Sequence, residues 1–192
     1  GNDRLFINAN ASGQGEMRAF GALDSTIDAG SGDDAVSINA SANSNNGGWW
    51  WGGGNDPATA KGLDNSDVDL GSGNDFININ ANANSNGGWW WGRGGNADSV
   101  GIDNNSSVNT GAGNDSVFVN SFAAGAATNA WAIRDSSIDV GSGDDFVRLT
   151  ASTFQTQRRY DPAWGSENSS IDLGSGNDRL SISANAHGRG EM

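Results

Sequence analysis

The sequence predicts an all-β protein built as a parallel β-solenoid, of the right-handed β-helix or β-roll type, with about five coils of 30–41 residues. Three observations predict it. A Gly-x-Gly-x-Asp motif recurs along the whole chain, apolar and polar residues alternate after each copy, and 30 of the 192 residues are glycine. Glycine-rich turns and β-branched alternation disfavour helices. An apolar face that recurs in every unit is buried only when the units stack on one another.

The turn motif divides the chain into similar units. Its clearest copy is 71–79, with the sequence GSGNDFINI. The second glycine of each copy falls at Gly1, Gly32, Gly73, Gly113, Gly143 and Gly176, which gives spacings of 31, 41, 40, 30 and 33 residues. We therefore expect a single continuous solenoid over 1–192. Its predicted coils span about 1–31, 32–72, 73–112, 113–142 and 143–175, and 176–192 begins the next block.

A longer repeat contains these units. Residues 1–17 match residues 176–192 at 13 of 17 positions, which is closer than the intermediate copies match each other. The simplest interpretation is a block of 175 residues and five units, of which the chain shows one period and an overlap. We expect it to be a segment of a longer array.

The first strand of each unit follows the turn. Inward and outward residues alternate with a period of two, as in a half-buried strand. Two large inward residues are followed by two small ones in nearly every unit. The predicted inward positions are Leu5, Ile7, Ala9 and Ala11; Val36, Ile38, Ala40 and Ala42; Ile77, Ile79, Ala81 and Ala83; Val117, Val119, Ser121 and Ala123; Val147, Leu149, Ala151 and Thr153; and Leu180, Ile182, Ala184 and Ala186.

Two more short strands are predicted upstream of each turn. One has the form Ser-x-(Ile or Val)-(Asp or Asn), at 25–28, 66–69, 106–109, 136–139 and 169–172. The other is indicated by an apolar residue shortly before it, at Leu23, Leu63, Ile102 or Ile133, whereas the fifth unit departs with Trp164-Gly165-Ser166. The connections between the first two strands differ in length. We interpret 122–131 as an alanine-rich loop and 158–164 as a basic and aromatic one.

Composition limits the partners. The formal net charge is −13, which disfavours nucleic acid and anionic membrane surfaces and favours a cation. Of the 23 acidic residues only Glu16, Glu167 and Glu191 are glutamates, and aspartate suits turns and hard cations. The chain has no cysteine, so no disulfide forms. No apolar run is long enough to cross a bilayer, and we expect no membrane insertion.

The repeated motif resembles the hemolysin-type (RTX) calcium-binding nonapeptide, Gly-Gly-x-Gly-x-Asp-x-U-x, from its second position onward. In 70–78 the residue at the first glycine position is Leu70. The resemblance implies Ca²⁺ as the cofactor. It implies carboxylate ligands at Asp34, Asp75, Asp115, Asp145 and Asp178, with Asp3 at the same position of the first unit. The chain departs from the family because it has one motif per coil rather than tandem motifs.

A second set of aspartates in register adds candidates for the metal site: Asp28, Asp69, Asp139 and Asp172, interrupted by Asn109. Stacked carboxylates about 5 Å apart repel one another, which favours a cation between coils. The alternative is a metal-free turn in which Asp and Asn side chains accept hydrogen bonds from backbone amides. Both interpretations stay open at this stage.

Two tryptophan clusters lie one unit apart and are candidate interaction sites: Trp49, Trp50 and Trp51, and Trp89, Trp90 and Trp91. Exposed aromatic clusters stack on sugar rings or mark a contact between chains. They also pack within one molecule and cover its flank. All three interpretations remain open.

These patterns predict a structural protein and not an enzyme. His187 is the only histidine, and no Ser-His-Asp set can be assembled. We expect an extracellular or cell-surface fibre, adhesin shaft or surface-layer segment that associates with itself end to end or laterally. It resembles the giant repetitive RTX-like surface proteins of bacteria, cyanobacteria among them. The alternative is a carbohydrate or cell-surface binding module that uses the tryptophan loops.

Overall fold

The computed structural model describes residues 1–45, 56–86, 95–155 and 162–188. Within these ranges it contains sixteen β-strands and no helix. The strands are β1 (Arg4–Gly13), β2 (Met17–Leu23), β3 (Thr26–Asp28), β4 (Ala35–Asn45), β5 (Ala58–Asp64), β6 (Asp67–Asp69), β7 (Phe76–Asn86), β8 (Asn96–Asp103), β9 (Ser107–Asn109), β10 (Ser116–Gly125), β11 (Ala127–Arg134), β12 (Ser137–Asp139), β13 (Phe146–Gln155), β14 (Ala163–Glu167), β15 (Ser170–Asp172) and β16 (Arg179–His187).

Three parallel sheets run along the molecule, and each coil contributes one strand to each sheet. Sheet 1 has the order β1-β4-β7-β10-β13-β16, sheet 2 the order β2-β5-β8-β11-β14, and sheet 3 the order β3-β6-β9-β12-β15. Equivalent residues of successive units are direct neighbours, for example Ile38 beside Ile79 and Val119 beside Leu149. The predicted parallel β-solenoid of about five coils is confirmed.

The core lies between the three sheets and follows the predicted alternation. In sheet 1 the inward residues of the interior coils are almost fully buried, such as Ile77 and Ile79, while their neighbours face outward. The end coils differ, because Leu5, Leu180 and Ile182 are 37%, 40% and 47% exposed. Their side chains point inward but have a neighbouring coil on one side only.

Sheet 2 approaches sheet 1 closely at a glycine in four of its five strands. A Cβ on Gly62 would lie 2.2 Å from Cγ2 of Ile79, and Gly101 is in the same relation to Val119. The residues of sheet 1 that face these glycines are β-branched: Ile38, Ile79, Val119 and Ile182. In the remaining coil Ala132 replaces the glycine and the corresponding residue of sheet 1 is Leu149. The residue of sheet 2 and the residue of sheet 1 that faces it therefore differ together in this coil, and the space between the sheets stays filled.

The corner between sheets 2 and 3 is formed by residues with positive φ and by serines. Asp24, Asn65, Asn104, Asn105, Asp135 and Asn168 have φ between 46° and 57°. After them, each serine hydroxyl accepts a hydrogen bond from the serine amide of the preceding coil, as in Ser66 N to Ser106 Oγ at 3.1 Å. The third coil has one extra corner residue, since it contains both Asn104 and Asn105.

The connections between sheets 1 and 2 differ from the prediction in one unit. The loop predicted at 122–131 is wrong, because only Ala126 separates β10 from β11. The alanines that suggested a loop are core residues, for example Ala123 and Ala130, both fully buried. In the fifth unit β14 forms despite its unusual sequence, with Ser166 beside Ile133. Both tryptophan clusters and residues 158–161 lie outside the described ranges.

A ladder of asparagines and a group of three phenylalanines lie on the outer face of sheet 1. Asn8, Asn39, Asn80 and Asn120 form a continuous series of amide hydrogen bonds, with Nδ2 to Oδ1 distances of 2.8–3.0 Å. Beside it, the ring of Phe118 lies 5.5 Å from the rings of both Phe76 and Phe146. In the described ranges no helix is present that could cross a membrane.

Candidate functional site

The repeated turn between sheets 3 and 1 depends on its two glycines. Gly71 has a φ of 84° and Gly73 a φ of 136°, a region that L-residues rarely adopt. A Cβ on Gly71 would lie 1.8 Å from the carbonyl oxygen of Gly30 in the preceding coil. The turns therefore stack backbone on backbone, and parallel bridges connect Ser31, Ser72, Ala112, Ser142 and Ser175.

The aspartate after the second glycine points into the stack, and its successive copies form the inner Asp column: Asp3, Asp34, Asp75, Asp115, Asp145 and Asp178. In each coil the backbone amide of this residue donates to Oδ1 of the aspartate in the following coil, over 2.6–3.0 Å. Five amides are satisfied in this way. The structure thus has the capping hydrogen bonds of the metal-free interpretation.

The second carboxylate oxygen of these residues is left over. Asp34, Asp75, Asp115 and Asp145 are only 1–2% exposed. In the described part of the chain, Oδ2 of each of the four is buried without a hydrogen-bond partner. A buried ionised oxygen without a partner is strongly unfavourable. Either a proton on the carboxyl group or a bound cation must therefore compensate the negative charge.

The electrostatic environment of the column opposes ionisation. Burial raises the pKa of Asp75 to about 6; the Asp34 amide opposes this rise, and the carboxylates of Asp115 and Asp34 add to it. Burial likewise raises the pKa values of Asp115 and Asp145. The interior of the stack therefore holds negative charge less well than water does.

The residue just before each of these aspartates makes the same hydrogen bond in the opposite direction. We call this series the outer Asx column: Asn2, Asp33, Asn74, Asn114, Asp144 and Asn177. Here each amide donates to Oδ1 of the preceding coil over 2.8–3.0 Å, as from Asn74 to Asp33. These side chains are exposed. Every turn is consequently held to both of its neighbours.

The second predicted set of metal ligands lies elsewhere. Asp28, Asp69, Asp139 and Asp172 are stacked in register on sheet 3, and all four are exposed. Two of them cap their own turn, with Asp139 Oδ1 accepting from Gly141 N at 3.0 Å and Asp172 Oδ1 from Gly174 N at 2.9 Å. Within the described ranges, no three acidic, histidine or cysteine side chains are grouped as they would be around a metal ion.

The position that departs from the RTX motif belongs to the core. Leu70, Thr110 and Val140 occupy the place of the first glycine and are fully buried. Their side chains fill the inside of the corner, next to the inner Asp column in sequence. The departure therefore has a packing reason, since a side chain there extends the core to the turn. Thr110 is the polar member, and its hydroxyl donates to the carbonyl oxygen of Val140 at 3.3 Å.

A charged cluster on sheet 2 was missed by the sequence reasoning. Asp103 is fully buried and accepts hydrogen bonds from Nε of Arg134 at 2.8 Å and from Nη2 at 2.6 Å. Lys61 Nζ lies 2.7 Å from Asp103 and 3.1 Å from Asp64. Burial alone would raise the pKa of Asp103, but the bonds from Arg134 and Lys61 outweigh it and hold the pKa below its usual range.

Aromatic rings lie beside this cluster. Trp131 and Trp164 are stacked with ring centroids 4.4 Å apart and an angle of 5°. The guanidinium of Arg134 lies 4.5 Å from the Trp131 ring centroid, a cation–π geometry. Aligning the units would have placed Asp64, Asp103 and Arg134 at one position of the repeat. The cluster is closed by its own ion pairs, so we assign it to the stability of sheet 2.

The corner beyond the cluster contains a polar notch of about 430 Å³, lined by Asn104, Asn105, Asp135, Ser136 and Asn168. Comparison of the chain with protein-family models, with curated proteins and with solved structures found no match. The assignment of a function therefore depends on the geometry described above.

Proposed function

We propose that the chain is a structural segment whose stack of coils is continued at both ends, so that it forms part of an extended fibre, adhesin shaft or surface layer. The supporting observation is the state of the end coils. Leu5, Leu180 and Ile182 carry inward-facing apolar side chains that are a third to a half exposed, whereas Ile77 and Ile79 are fully buried. The outer edges of β1 and β16 also have no strand beside them in the described chain.

The end faces of the stack, at β1 and β16, expose both apolar side chains and an unpaired strand edge. Unpaired edge strands with apolar inward residues pair readily with another strand. A following coil of the same chain or a second copy of the chain provides the same contacts, because every coil repeats them. Removing apolar surface from water lowers the free energy by roughly 25 cal/mol per Å², so covering these end faces is favourable.

Sedimentation velocity and negative-stain electron microscopy test self-association of the 192-residue chain. We expect rods whose length increases with protein concentration. The variant Leu180→Arg places a charge on the end face and should remain monomeric, whereas Ser181→Arg changes the outward neighbour and should associate like the wild type. Rods that form equally well from the Leu180→Arg variant would contradict the proposal.

A second candidate function is cation binding by the inner Asp column, with Ca²⁺ as the predicted ion. It is favoured by the unpartnered Oδ2 atoms of Asp34, Asp75, Asp115 and Asp145. A further argument comes from the repeats themselves. Asparagine would cap the amide equally well, and in the outer Asx column the acceptors Asn2, Asn74 and Asn114 do so. Every position of the inner Asp column is nevertheless aspartate. Capping alone gives no reason for a carboxylate.

Thermal unfolding in Ca²⁺ and in chelator tests this candidate. We expect Ca²⁺ to raise Tm in proportion to the logarithm of its concentration above Kd. Asp75→Asn keeps the capping oxygen and should reduce the rise, while Asp69→Asn on sheet 3 should leave it unchanged. Equal Tm in Ca²⁺ and chelator would remove Ca²⁺ from the proposal.

The other functional predictions keep the standing of predictions. The described residues contain nothing that bears on the tryptophan loops as glycan or cell-surface contacts, because both clusters lie outside them. An extracellular location and a non-enzymatic role likewise stay predictions.

A further inference from the structure

The two end strands of sheet 1 are copies of each other. The four inward residues of β1 are identical in β16: Leu5 and Leu180, Ile7 and Ile182, Ala9 and Ala184, Ala11 and Ala186. The differences within the strands fall on outward positions, Phe6 and Ser181, Asn8 and Ser183, Ser12 and His187. The two strands therefore present the same surface to the core.

One of these copies shows what the other can pair with. β1 is paired with β4 over ten residues, from Arg4 beside Ala35 to Gly13 beside Ser44. β16 is paired with β13 along one edge, and its other edge is the one that β1 uses for β4. Hence β16 carries the same pairing edge that β1 presents to β4, and in the described part of the chain no strand lies on that edge.

The strand numbers prevent simple stacking of two copies. Among the described residues, sheet 1 has six strands, whereas sheets 2 and 3 have five each. If β16 of one copy lay beside β1 of the next, sheet 1 would gain one strand more than the other two sheets. The coils would then be separated by about one strand spacing, 4.8 Å, in sheets 2 and 3. All three sheets can continue across the junction between two copies only if either β16 of the first copy or β1 of the second is left out.

We propose that two copies of the chain join by strand exchange, in which β16 of one copy displaces β1 of the next and pairs with its β4. This inference depends on the proposed end-to-end association. In the exchanged junction all three sheets continue in register. The same 175-residue offset places Trp164 beside Phe20 of the second copy and Glu167 beside its Leu23, which is 47% exposed in the single chain.

The chain around β1 allows the displacement. β1 ends at Gly13, and the bend before β2 contains Gly15 with a φ of 98° and free space around the position of a Cβ. Glycines adopt many backbone conformations at low cost, so this bend is a suitable hinge. The displaced strand gives up its ten-residue pairing with β4 and the hydrogen bond from Asn39 Nδ2 to Asn8 Oδ1. In the exchanged junction β16 restores the pairing, because its inward residues are the same. Ser183 takes the place of Asn8 in the exchanged junction.

A matched pair of substitutions separates exchange from simple stacking. Ile7→Asp weakens β1 and leaves β16 intact. Exchange therefore predicts association at about tenfold lower protein concentration, since a charge at this half-buried apolar position makes β1 easier to displace. Ile182→Asp, the same change at the equivalent position, should abolish association. In simple stacking both residues are buried at the junction, so a loss of association in both variants would overturn the inference.

Cross-linking identifies the strand that pairs with β16. The chain has no cysteine, so two can be introduced without interference. Ser37→Cys with Ser181→Cys should be joined between copies by a cross-linker that spans one strand spacing, about 4.8 Å, because exchange places these residues side by side. Within one copy they are four strands apart. Cross-linking of Phe6→Cys with Ser181→Cys instead would contradict exchange.

The outcomes distinguish this inference from the proposed function. Sedimentation without a cross-linker reports whether the wild type and the Ile7→Asp variant associate at all. If neither does, both the end-to-end function and the exchange are wrong. If the wild type associates but the cross-link forms only through position 6, the function stands and the exchange is overturned.

Discussion

Two neighbouring residues of each turn make the same hydrogen bond in different surroundings. Asp75 of the inner Asp column is buried and caps the amide of Asp34, while Asn74 of the outer Asx column is exposed and caps the amide of Asn114. The outer position accepts both Asp and Asn, whereas the inner position is Asp in every coil. Capping of a backbone amide therefore sets the geometry in both columns. Burial makes the difference, because in the described chain only the inner Asp column holds buried carboxylate oxygens without a hydrogen-bond partner.

The largest expected effect comes from a change that shifts both columns at once. In Gly71→Ala the Cβ would meet the Gly30 carbonyl oxygen at 1.8 Å, so the backbone of the turn must move. We expect a loss of at least about 3 kcal/mol, beyond the strain of positive φ alone. Gly30→Ala is the matched control, because Gly30 has nearly the same φ, 87°, and nothing near its Cβ position.

Urea unfolding followed by circular dichroism measures this difference. Gly30→Ala should cost only about 1–2 kcal/mol, the strain of an L-residue at positive φ. If the two variants unfold at the same urea concentration, the stacked backbones are not as close as the structure indicates.

Removing one capping side chain from each column should separate burial from hydrogen bonding. Asp75→Ala leaves the amide of Asp34 buried without its acceptor, and we expect a cost of about 1–3 kcal/mol. Asn74→Ala also removes an acceptor, but water reaches the exposed amide of Asn114, so we expect a cost below about 1 kcal/mol. Measured in chelator, equal costs would show that burial makes no difference between the columns.

The pH dependence of stability tests the charge on the inner Asp column. The pKa of Asp75 is raised to about 6 by burial, above the value of about 3.9 in an unfolded chain. Between these values the folded state binds more protons than the unfolded state, so its stability is greatest below about pH 4 and falls as the pH rises to about 6. We expect this fall in the wild type when Ca²⁺ is removed.

Asp75→Asn removes one titrating group from that range and should flatten the decrease, while Asp115 and Asp145 retain part of it. Asn74→Ala introduces no titrating group and serves as the control. Free energies of unfolding at several pH values in chelator give the slopes. Identical slopes for wild type and Asp75→Asn would mean that this carboxyl stays ionised or is compensated by another group.

The smallest expected effect is an exchange of Asp and Asn in the outer Asx column. Asn114→Asp retains the oxygen that accepts from the amide of Asp144, and the side chain is exposed. We expect a change within about 0.5 kcal/mol in the free energy of unfolding. A larger loss of unfolding free energy would mean that a carboxylate is as unfavourable in the outer Asx column as in the inner Asp column.

The sequence was sufficient for the fold because every unit repeats the same inward residues. The period-two alternation placed Ile77 and Ile79 in the core, and the motif placed Gly71 and Gly73 in a turn. The predicted loop at 122–131 failed because alanine is common both in loops and in the narrow part of this core. Only the pairing of β10 with β13 shows that the small inward position continues as far as Ala123.

Part of the geometry of the candidate site was predicted, while its role as a metal site stays a prediction. The register of the aspartates was correct, since Asp34 and Asp75 are stacked as the motif spacing required. The sequence did not indicate which oxygen would cap an amide and which would be left over, because this depends on the direction of the side chain. The ion pairs of Asp103 were missed because Lys61 and Arg134 belong to different units and meet there only after the coils stack.

The unequal length of the coils has a mechanical consequence. Every coil adds the same rise of about 4.8 Å to the rod, but the coils contain 31, 41, 40, 30 and 33 residues between equivalent turns. Under tension each coil that peels from the stack would release a different length of chain. The rod is therefore a series of coils that release unequal contour lengths when they unfold. In a force–extension curve, the distance between successive force peaks would show which coil had unfolded.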